Sequence, residues 1–408
     1  MAKQSVPTGV LPCRSTKCSA TIVPLYFTPK AKDRPNKMNI REIAERAGVS
    51  AATVSRVINY IPTVDRKLAK RVWNVVGDLG YSPNGQARGL VSGKSRVLGL
   101  AVSDMTDSFS SEIIQSFETS AVHCSYEILV TSTLHDPKRI ELCVRRMIER
   151  RIEGAAVLTF GLEELVVEKL RDRGIPLVCV DSEPDASTVS IIRLDYERGI
   201  RQAVQHLVAL RHERIAYVAG PFDSKRDSAK RSAFEKCMSE IWIPVFSELI
   251  VAGDDTVAGG RRTIAQLAQL RNRPTAIFCS NDMTAIGVMT GACELAFAVP
   301  RELSVIGFDD IPFSRFITPP LTTVRVPQAE LAAIAFHALV SELDGTQRET
   351  GKPTEYALDT QLVLRRSTAL ALPWRSTRTN LQSSVVDSIP EDPLMQRAGH
   401  DRMMIARP

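Results

Sequence analysis

Seven short apolar runs, spaced along the chain from residue 97 onward, constrain the fold of this 408-residue protein more than any other feature. The runs read VLGLAV, YEILVTS, GAAVLTF, PLVCVD, RIAYVAG, AIFCS and SVIGF, and each is followed by a polar turn and usually by a helix-length amphipathic stretch. Such alternation is typical of α/β proteins, in which helices cover parallel sheets. Because the pattern is long for a single sheet, it predicts a two-lobed α/β core over residues 97–368.

The segments that flank this core carry no such pattern. Residues 1–37 are rich in Pro, Ser, Thr and Lys and are predicted to be a disordered extension. The stretch TIVPLYF within them is too short for a signal peptide, and no run reaches the ~18–20 apolar residues of a membrane span. Residues 369–408 are predicted to form a flexible tail. The eight cysteines are scattered without metal-ligand spacing, so we expect reduced thiols, no metal and a cytoplasmic protein.

A small basic module precedes the core. Residues 38–96 contain ten Lys or Arg and four Asp or Glu, so this segment accounts for the whole formal net charge of +6. Charge concentrated in one module is typical of proteins that bind a polyanion. The alternative is a solvated basic surface, and charge alone does not separate the two.

Within this module, the stretch GVSAATVSRVIN, residues 48–59, predicts a helix with two unlike faces. Gly48 can end the preceding helix in a left-handed turn, and Ser50 can cap the next one. On a helical wheel, Val54, Val57 and Ile58 occupy one arc and form a core face. The opposite arc is small and polar and ends in an arginine; it comprises Ala51, Ala52, Ser55, Arg56 and Asn59.

Two short helices joined by a glycine-containing turn form a helix-turn-helix, whose second helix reads the major groove of DNA. Small residues let the backbone approach base edges, and Ala51 and Ala52 can meet thymine methyl groups. Arg56 can pair with a guanine. The remaining polar side chains suit phosphate and base contacts; they are Ser50, Thr53, Ser55 and Asn59. The alternative is an ordinary amphipathic helical hairpin. A third helix from Asp65 to GYSPN completes an all-α domain over residues 38–83.

At this point the chain resembles the LacI/GalR family of bacterial transcription regulators. The resemblance rests on MNIREIAERAGVSAATVSRVIN and extends over about residues 38–368. It implies a DNA-bound homodimer on a pseudo-palindromic, double-stranded operator, acting as a repressor, with activation as the alternative. It further implies a hinge helix at about Asn84–Ser92, within a linker over residues 84–96, in which Leu90 wedges into the minor groove.

The resemblance also implies that the core binds a small-molecule effector, a sugar or sugar derivative, in a cleft between two lobes like those of periplasmic sugar-binding proteins. Ligands of parallel sheets sit beyond the carboxyl ends of strands, and that rule alone nominates six residues: Asp104, Asp181, Gly220, Asn281, Asp282 and Asp309. The expected effector-binding residues are Asp104, Asp107, Phe109, Asp181, Lys230, Asn281 and Asp309.

Three departures from the family pattern accompany this expectation. The loop at residues 107–110 reads DSFS in place of Asn-Pro-Phe-Phe. Val326, after LTTVR, stands where many members have glutamine. Lys230 replaces an effector-clasping arginine. Lysine is a point charge and lacks the planar fork of arginine. For each single Asp or Asn, the alternative role is turn formation or helix capping.

Two other classes of protein fit the sequence less well. A solute-binding protein would need an export signal and would have no use for residues 38–96. An enzyme should show a catalytic motif, and the sequence contains no nucleophile elbow, Walker loop, HExxH or GxGxxG after a strand. We therefore expect neither an enzymatic activity nor a cofactor.

Overall fold

The computed structural model describes residues 40–58, 63–81, 94–134, 136–158, 163–181, 189–221, 225–345 and 354–372. Several predicted features lie outside these ranges: the extension over residues 1–37, Asn59, the hinge helix with Leu90, and most of the tail.

Three helices form the N-terminal module: α1 (Ile40–Ala47), α2 (Ala51–Ile58) and α3 (Arg66–Asp78). Gly48 has a φ of 58°, and its neighbour's amide, Val49 N, donates to Ala44 O at 3.0 Å, so α1 ends in the predicted left-handed turn. Ser50 Oγ accepts from Thr53 N at 3.1 Å and caps α2. Arg71, on α3, donates to Gly48 O at 3.0 Å and fastens the third helix to this turn.

A single apolar core holds these three helices together. It is built from one stripe of each helix, as the 3.6-residue period requires, and comprises Ile43, Ala44, Ala47, Val54, Val57, Ile58, Val72 and Val76. The three α2 members are those that the helical wheel places on the core face.

The chain divides into two compact units, the first of which includes the N-terminal module, and the two sheets that they contain confirm the predicted two-lobed α/β core. Unit 1 contains the chain up to Leu194 together with Gln328–Leu358, and unit 2 contains Asp195–Pro327 and the chain from Asp359. The chain therefore passes from one unit to the other three times. Neither unit is a continuous segment, a property that the strand pattern by itself does not predict.

The α/β part of unit 1 is built on a six-stranded sheet of order β11-β5-β4-β3-β1-β2. Strands β1 to β5 pair in parallel. Its elements are β1 (Val97–Val102), α4 (Ser108–His123), β2 (Glu127–Ser132), α5 (Pro137–Glu149), β3 (Gly154–Leu158), α6 (Glu163–Arg171), β4 (Leu177–Val180), β5 (Val189–Asp195), α11 (Gln328–Leu343) and β11 (Glu355–Asp359).

Unit 2 contains a second six-stranded sheet, of order β12-β10-β9-β8-β6-β7. All of its pairs are parallel except β10 with β12. Its elements are α7 (Tyr196–Ala209), β6 (Ile215–Ala219), α8 (Lys225–Glu240), β7 (Ile250–Ala252), α9 (Val257–Leu267), β8 (Ala276–Cys279), α10 (Asp282–Glu294), β9 (Ser304–Asp309), β10 (Thr322–Arg325) and β12 (Gln361–Val363). Short 3₁₀ turns lie at Ser247–Leu249 and Pro312–Arg315.

Each of the seven apolar runs contains a strand, and these strands are β1, β2, β3, β4, β6, β8 and β9. The predicted start of the flexible tail at Ala369 needs correction. His212 Nε2 lies 3.0 Å from Ala369 O, and Ala371 N donates to Leu210 O at 2.8 Å. The backbone of Ala369 and Ala371 is therefore hydrogen-bonded within unit 2, where it pairs with polar groups of His212 and Leu210.

None of the helices in the described part of the chain combines the length and apolar character needed to cross a lipid bilayer. Within the same ranges, His, Cys, Asp and Glu side chains form no group that could hold a metal ion.

Candidate functional site

The first candidate site is the outward face of α2. Ala51, Ala52 and Arg56 are exposed, whereas Thr53 and Ser55 are half-buried at its margins. Arg56 is therefore an exposed cation on a helix face whose other exposed side chains are small. This face can approach a concave polyanion closely and place one planar donor against it.

Hydroxyl groups at the start of α2 are already organised. Ser50 Oγ lies 2.9 Å from Thr53 Oγ1 and also accepts from the Thr53 amide. The pair fixes the N-terminal turn, which points backbone N–H groups outward and favours an anion there. Asn59, predicted on the same face, lies outside the described residues.

The residues predicted at the effector site in unit 1 are all engaged locally. Asp104 Oδ1 accepts from the Thr106 amide at 2.8 Å, and Asp107 caps α4 through the Phe109 amide at 3.3 Å. Asp181 has a φ of 47° and accepts from Leu194 N at 3.0 Å. The Phe109 ring is 3% exposed and belongs to the core. The turn-and-cap alternative therefore describes contacts that these carboxylates make in this structure, and their effector contacts stay predictions.

In unit 2, three predicted residues lie at the carboxyl edge of one sheet. Asp309 ends β9, Asn281 follows β8, and Lys230 lies on α8, which follows β6. Because β9, β8 and β6 are neighbours in the sheet, residues far apart in the chain meet there. Three further charged residues that the sequence did not single out join them. We call the ionisable members the unit 2 polar cluster: Arg226, Asp227, Lys230, Asp255 and Asp309.

An ion pair connects α8 to β9 in this cluster. Arg226 Nη2 lies 2.7 Å from Asp309 Oδ1, and the two side chains are 15% and 7% exposed. Burial disfavours the guanidinium charge, but the Asp309 carboxylate more than compensates and raises the pKa of Arg226 above its usual range. Asp309 has a φ of 108°, a conformation that a residue with a side chain rarely adopts.

Lys230 lies one helical turn after Arg226 and is 2% exposed. Its Nζ donates to Ser280 O at 2.7 Å and lies 4.1 Å from the centre of the Phe308 ring. Burial lowers the pKa of this ammonium. The carbonyl and the aromatic face are the contacts that stabilise its charge inside the protein.

Asp255 and Asp227 bring two carboxylates close to the same cations. Asp255 Oδ1 accepts from Ser280 Oγ at 3.1 Å, and burial, followed by the charge of Asp227, raises the pKa of Asp255 to about 6. A Cβ at Gly220 would lie 2.3 Å from Asp227 Oδ2, so only glycine leaves room for that carboxylate.

Two neighbouring buried groups complete the polar surroundings. The Tyr217 hydroxyl is buried without a hydrogen-bond partner among the described residues, and burial, together with Asp227 and Asp255, raises its pKa well above the usual value. Asp282 is fully buried and accepts from Thr323 Oγ1 and from Ile311 N. Burial raises the pKa of Asp282 well above its ordinary value. Asp282 therefore joins β10 to the loop after β9.

One spacing in the local sequence indicates this cluster, although it was not among the predictions. Arg226 and Asp227 precede Lys230 by four and three residues, which places all three on one face of a helix. Asp255 had no comparable signal. It follows the three-residue strand β7, and its φ of 61° shows only in the structure.

Comparisons with known proteins agree with this architecture. Residues 39–84 match the model of the lacI family of bacterial regulatory proteins, and residues 204–368 match that of the periplasmic binding protein-like domain. The chain is 30% identical over 332 residues to catabolite control protein A of Priestia megaterium, which covers 81% of this chain and 99% of that protein. It is 31% identical over 331 residues to the HTH-type transcriptional repressor PurR of Actinobacillus pleuropneumoniae, covering 80% of this chain and 97% of the relative.

Among solved structures, the chain resembles the Lac repressor dimer bound to operator and the anti-inducer ONPF. The TM-score is 0.72 at 26% identity, and the match covers 82% of this chain and 100% of that one. PurR is named as a transcriptional repressor, and the Lac repressor structure is a dimer bound to operator.

Proposed function

Because the chain belongs to the LacI family of bacterial transcription regulators, we propose that it represses transcription as a homodimer bound to a pseudo-palindromic operator. A small-molecule effector, a sugar or sugar derivative, sets its affinity for that DNA. The observation that carries this proposal is the outward face of α2, where the exposed side chains of Ala51 and Ala52 are small and Arg56 is exposed beside them.

The proposed mode of DNA sequence recognition follows from the shape of the major groove. An α-helix fits the major groove, small side chains bring its backbone near the base edges, and an arginine can bond both acceptors of a guanine. The proposed DNA contacts are Ser50, Ala51, Ala52, Thr53, Ser55, Arg56, Asn59 and Leu90.

Gel-shift titration of the full chain against a randomised palindromic library tests this function directly. Enrichment of a pseudo-palindrome with a central CG step is the expected result. Binding that follows DNA length and salt alone, without an enriched sequence, would refute a sequence-specific regulator.

The proposed effector contacts in unit 2 are Lys230, Asn281 and Asp309, and those in unit 1 are Asp104, Asp107, Phe109 and Asp181. Carboxylates and amides at the carboxyl ends of parallel strands suit the hydroxyl groups of a carbohydrate. The unit 2 polar cluster supports this assignment, since it concentrates buried charge and an unusual backbone conformation at one sheet edge.

A homodimer is proposed because one recognition helix reads only a few base pairs, and two are needed for a palindrome. Unit 2 exposes two neighbouring rings that a second copy could cover: Phe313 is 60% exposed and Phe316 is 80% exposed. The sequence of residues 369–408 contains no leucine heptad of the kind that joins tetramers.

Replacing both Phe313 and Phe316 by lysine is expected to shift the protein from dimer to monomer at micromolar concentration and to weaken operator binding. Two buried charges and the loss of two apolar rings oppose association. Analytical ultracentrifugation measures the change. Replacing Trp242, which is 93% exposed elsewhere in unit 2, by lysine is the matched control and should leave the dimer intact. A wild-type monomer that still binds operator, or a stable tetramer, would contradict the proposal.

A chain shortened to begin at Met38 is expected to bind operator with unchanged affinity at matched salt. The first 37 residues lack a core pattern and precede a complete helix-turn-helix. Fluorescence anisotropy on a labelled operator is the measurement. A tenfold loss, ~1.4 kcal/mol, would show instead that Lys30, Lys32, Arg34 and Lys37 contribute phosphate contacts. Glutamine at those four positions of the full chain would then reproduce the loss.

A bacterial transcription regulator acts on the chromosome, which lies in the cytoplasm. We therefore place the protein in the cytoplasm, associated with the nucleoid while it is bound to DNA.

A further inference from the structure

The turn after α8 contains a tryptophan in an unusual backbone conformation. Trp242 N donates to Ser239 O at 3.1 Å, and the next amide, Ile243 N, donates to Met238 O at 3.1 Å. The helix therefore ends in a Schellman motif with Trp242 in its left-handed position, at a φ of 59°. Glycine is the residue that adopts this conformation without steric cost. Because Trp242 is also 93% exposed, neither the local backbone nor core packing accounts for a tryptophan here.

An open groove of about 710 Å³ lies beside Trp242. One wall is a face of α8 on which Arg231 Nε donates to Glu235 Oε1 at 2.8 Å, so the two charges of this wall offset each other. The other wall is apolar and includes Trp242, Pro244, Val245 and Ile250. The first three of these residues are exposed. A contiguous apolar surface of this kind favours an apolar occupant with little charge.

The last described residues of the chain lie close to this groove. His212 Nε2 lies 3.0 Å from Ala369 O. Two residues after His212, the Arg214 guanidinium lies 4.3 Å from the centre of the Phe246 ring, and Phe246 belongs to the loop that forms the apolar wall. Residues 373–408 therefore continue from a point near the groove, within the same unit.

One segment of residues 373–408 has the composition that the groove favours. Residues 381–389 read LQSSVVDSI, with four apolar side chains and a single charge, whereas the apolar run MMI at 403–405 lies between Arg402 and Arg407. The segment begins nine residues after Leu372, and such a connection spans up to about 30 Å. A connection this short also keeps the segment at a high effective concentration near the groove.

We propose that residues 381–389 dock into the groove of their own chain, where their apolar side chains cover Trp242. Burial of apolar surface on both partners drives the contact, and a tryptophan ring supplies a large area with few rotatable bonds. The groove lies before the amino end of β7, whereas the unit 2 polar cluster lies at the carboxyl edge of the sheet. The docked segment therefore leaves both the α2 face and that cluster open.

Acrylamide quenching of Trp242 fluorescence in the full chain tests the proposal. The chain contains three tryptophans, so Trp73→Phe and Trp374→Phe leave Trp242 as the only emitter. The reference is the Trp73→Phe chain shortened to end at Leu372. In the full chain, the emission is expected at shorter wavelength and the quenching constant at least about twofold lower than in the reference, because the docked segment covers the ring. Equal quenching in the two chains overturns the proposal.

Variants outside the folded part of unit 2 test which segment docks. Val385→Asp combined with Val386→Asp, in the full single-tryptophan chain, is expected to raise quenching to the value of the shortened chain, because two charges oppose burial in an apolar groove. Met403→Asp combined with Met404→Asp adds the same charge to the other apolar run and is the matched control, which should keep the low quenching. High quenching in the methionine variant, or low quenching in the valine variant, overturns the assignment to residues 381–389.

A mixing experiment separates docking within one chain from docking between two copies. The shortened single-tryptophan chain is mixed with an excess of full chain in which Trp73, Trp242 and Trp374 are all replaced by phenylalanine. Quenching of the shortened chain is expected to stay at its own value, because its groove has no segment attached to it. A fall in quenching would show that the segment of another copy fills the groove, and would overturn docking within one chain.

Discussion

Replacing Arg56 by alanine is expected to cost about 1–3 kcal/mol of binding free energy on the specific operator and to relax the preference at one base pair in each half-site. Arg56 is exposed at the edge of the α2 face, where a long side chain can reach past Ala51 and Ala52 to a guanine. The loss of both guanine bonds leaves the phosphate contacts in place, so non-specific binding should change little.

A binding-site selection with the Arg56→Ala protein measures this effect, and anisotropy titrations on the wild-type operator give its size. Arg46→Ala is a matched control, because it removes one exposed cation from α1, where Arg46 pairs with Glu42 at 3.1 Å. The control should return the wild-type motif. If Arg56→Ala also returns that motif at an unchanged specificity ratio, α2 is not the reading helix.

Loss of the effector response is the expected result of Asp309→Ala, with operator affinity in the absence of effector unchanged. The carboxylate pairs with Arg226 at the sheet edge, far in sequence from residues 38–96. Without it the effector loses a contact, and with that contact the differential binding on which coupling between sites depends. Typical couplings of about 5- to 150-fold should fall to nearly onefold.

Operator titrations in the presence and absence of a sugar that binds the wild-type protein measure this loss. Asp309→Asn tests the charge while preserving the shape, in case alanine destabilises unit 2. Asp359→Ala removes an exposed carboxylate that pairs with Arg198 in the same unit, and it should respond normally. An intact response in Asp309→Ala would exclude Asp309 from the effector site.

The strands that the sequence predicted differ in the polarity of their residues from a strand that it missed. Runs such as VLGLAV are apolar because both faces of a central parallel strand are covered, and such runs are visible without any structure. β10 is equally central but reads TTVR, with Thr322 and Thr323 fully buried. Their hydroxyls are satisfied by distant partners: Thr323 donates to Asp282, and Thr322 accepts from Arg365 N at 2.9 Å. A buried strand of hydroxyl residues becomes recognisable only when those partners are known.

The two candidate sites likewise contain features that the local sequence predicts and features that only the tertiary structure shows. Local sequence determined the helix-turn-helix, because a helical period, a Gly48 turn and a Ser50 cap act within a few residues of one another. It also determined that Asp309 and Asn281 end or follow strands. Only the tertiary structure decided which cation on α8 reaches Asp309. The order β9-β8-β6-β7 brings Arg226 and Asp255 to that edge and turns Lys230 inward onto Ser280. Sheet order arises from packing between segments distant in the chain, and no local pattern in the sequence encodes it.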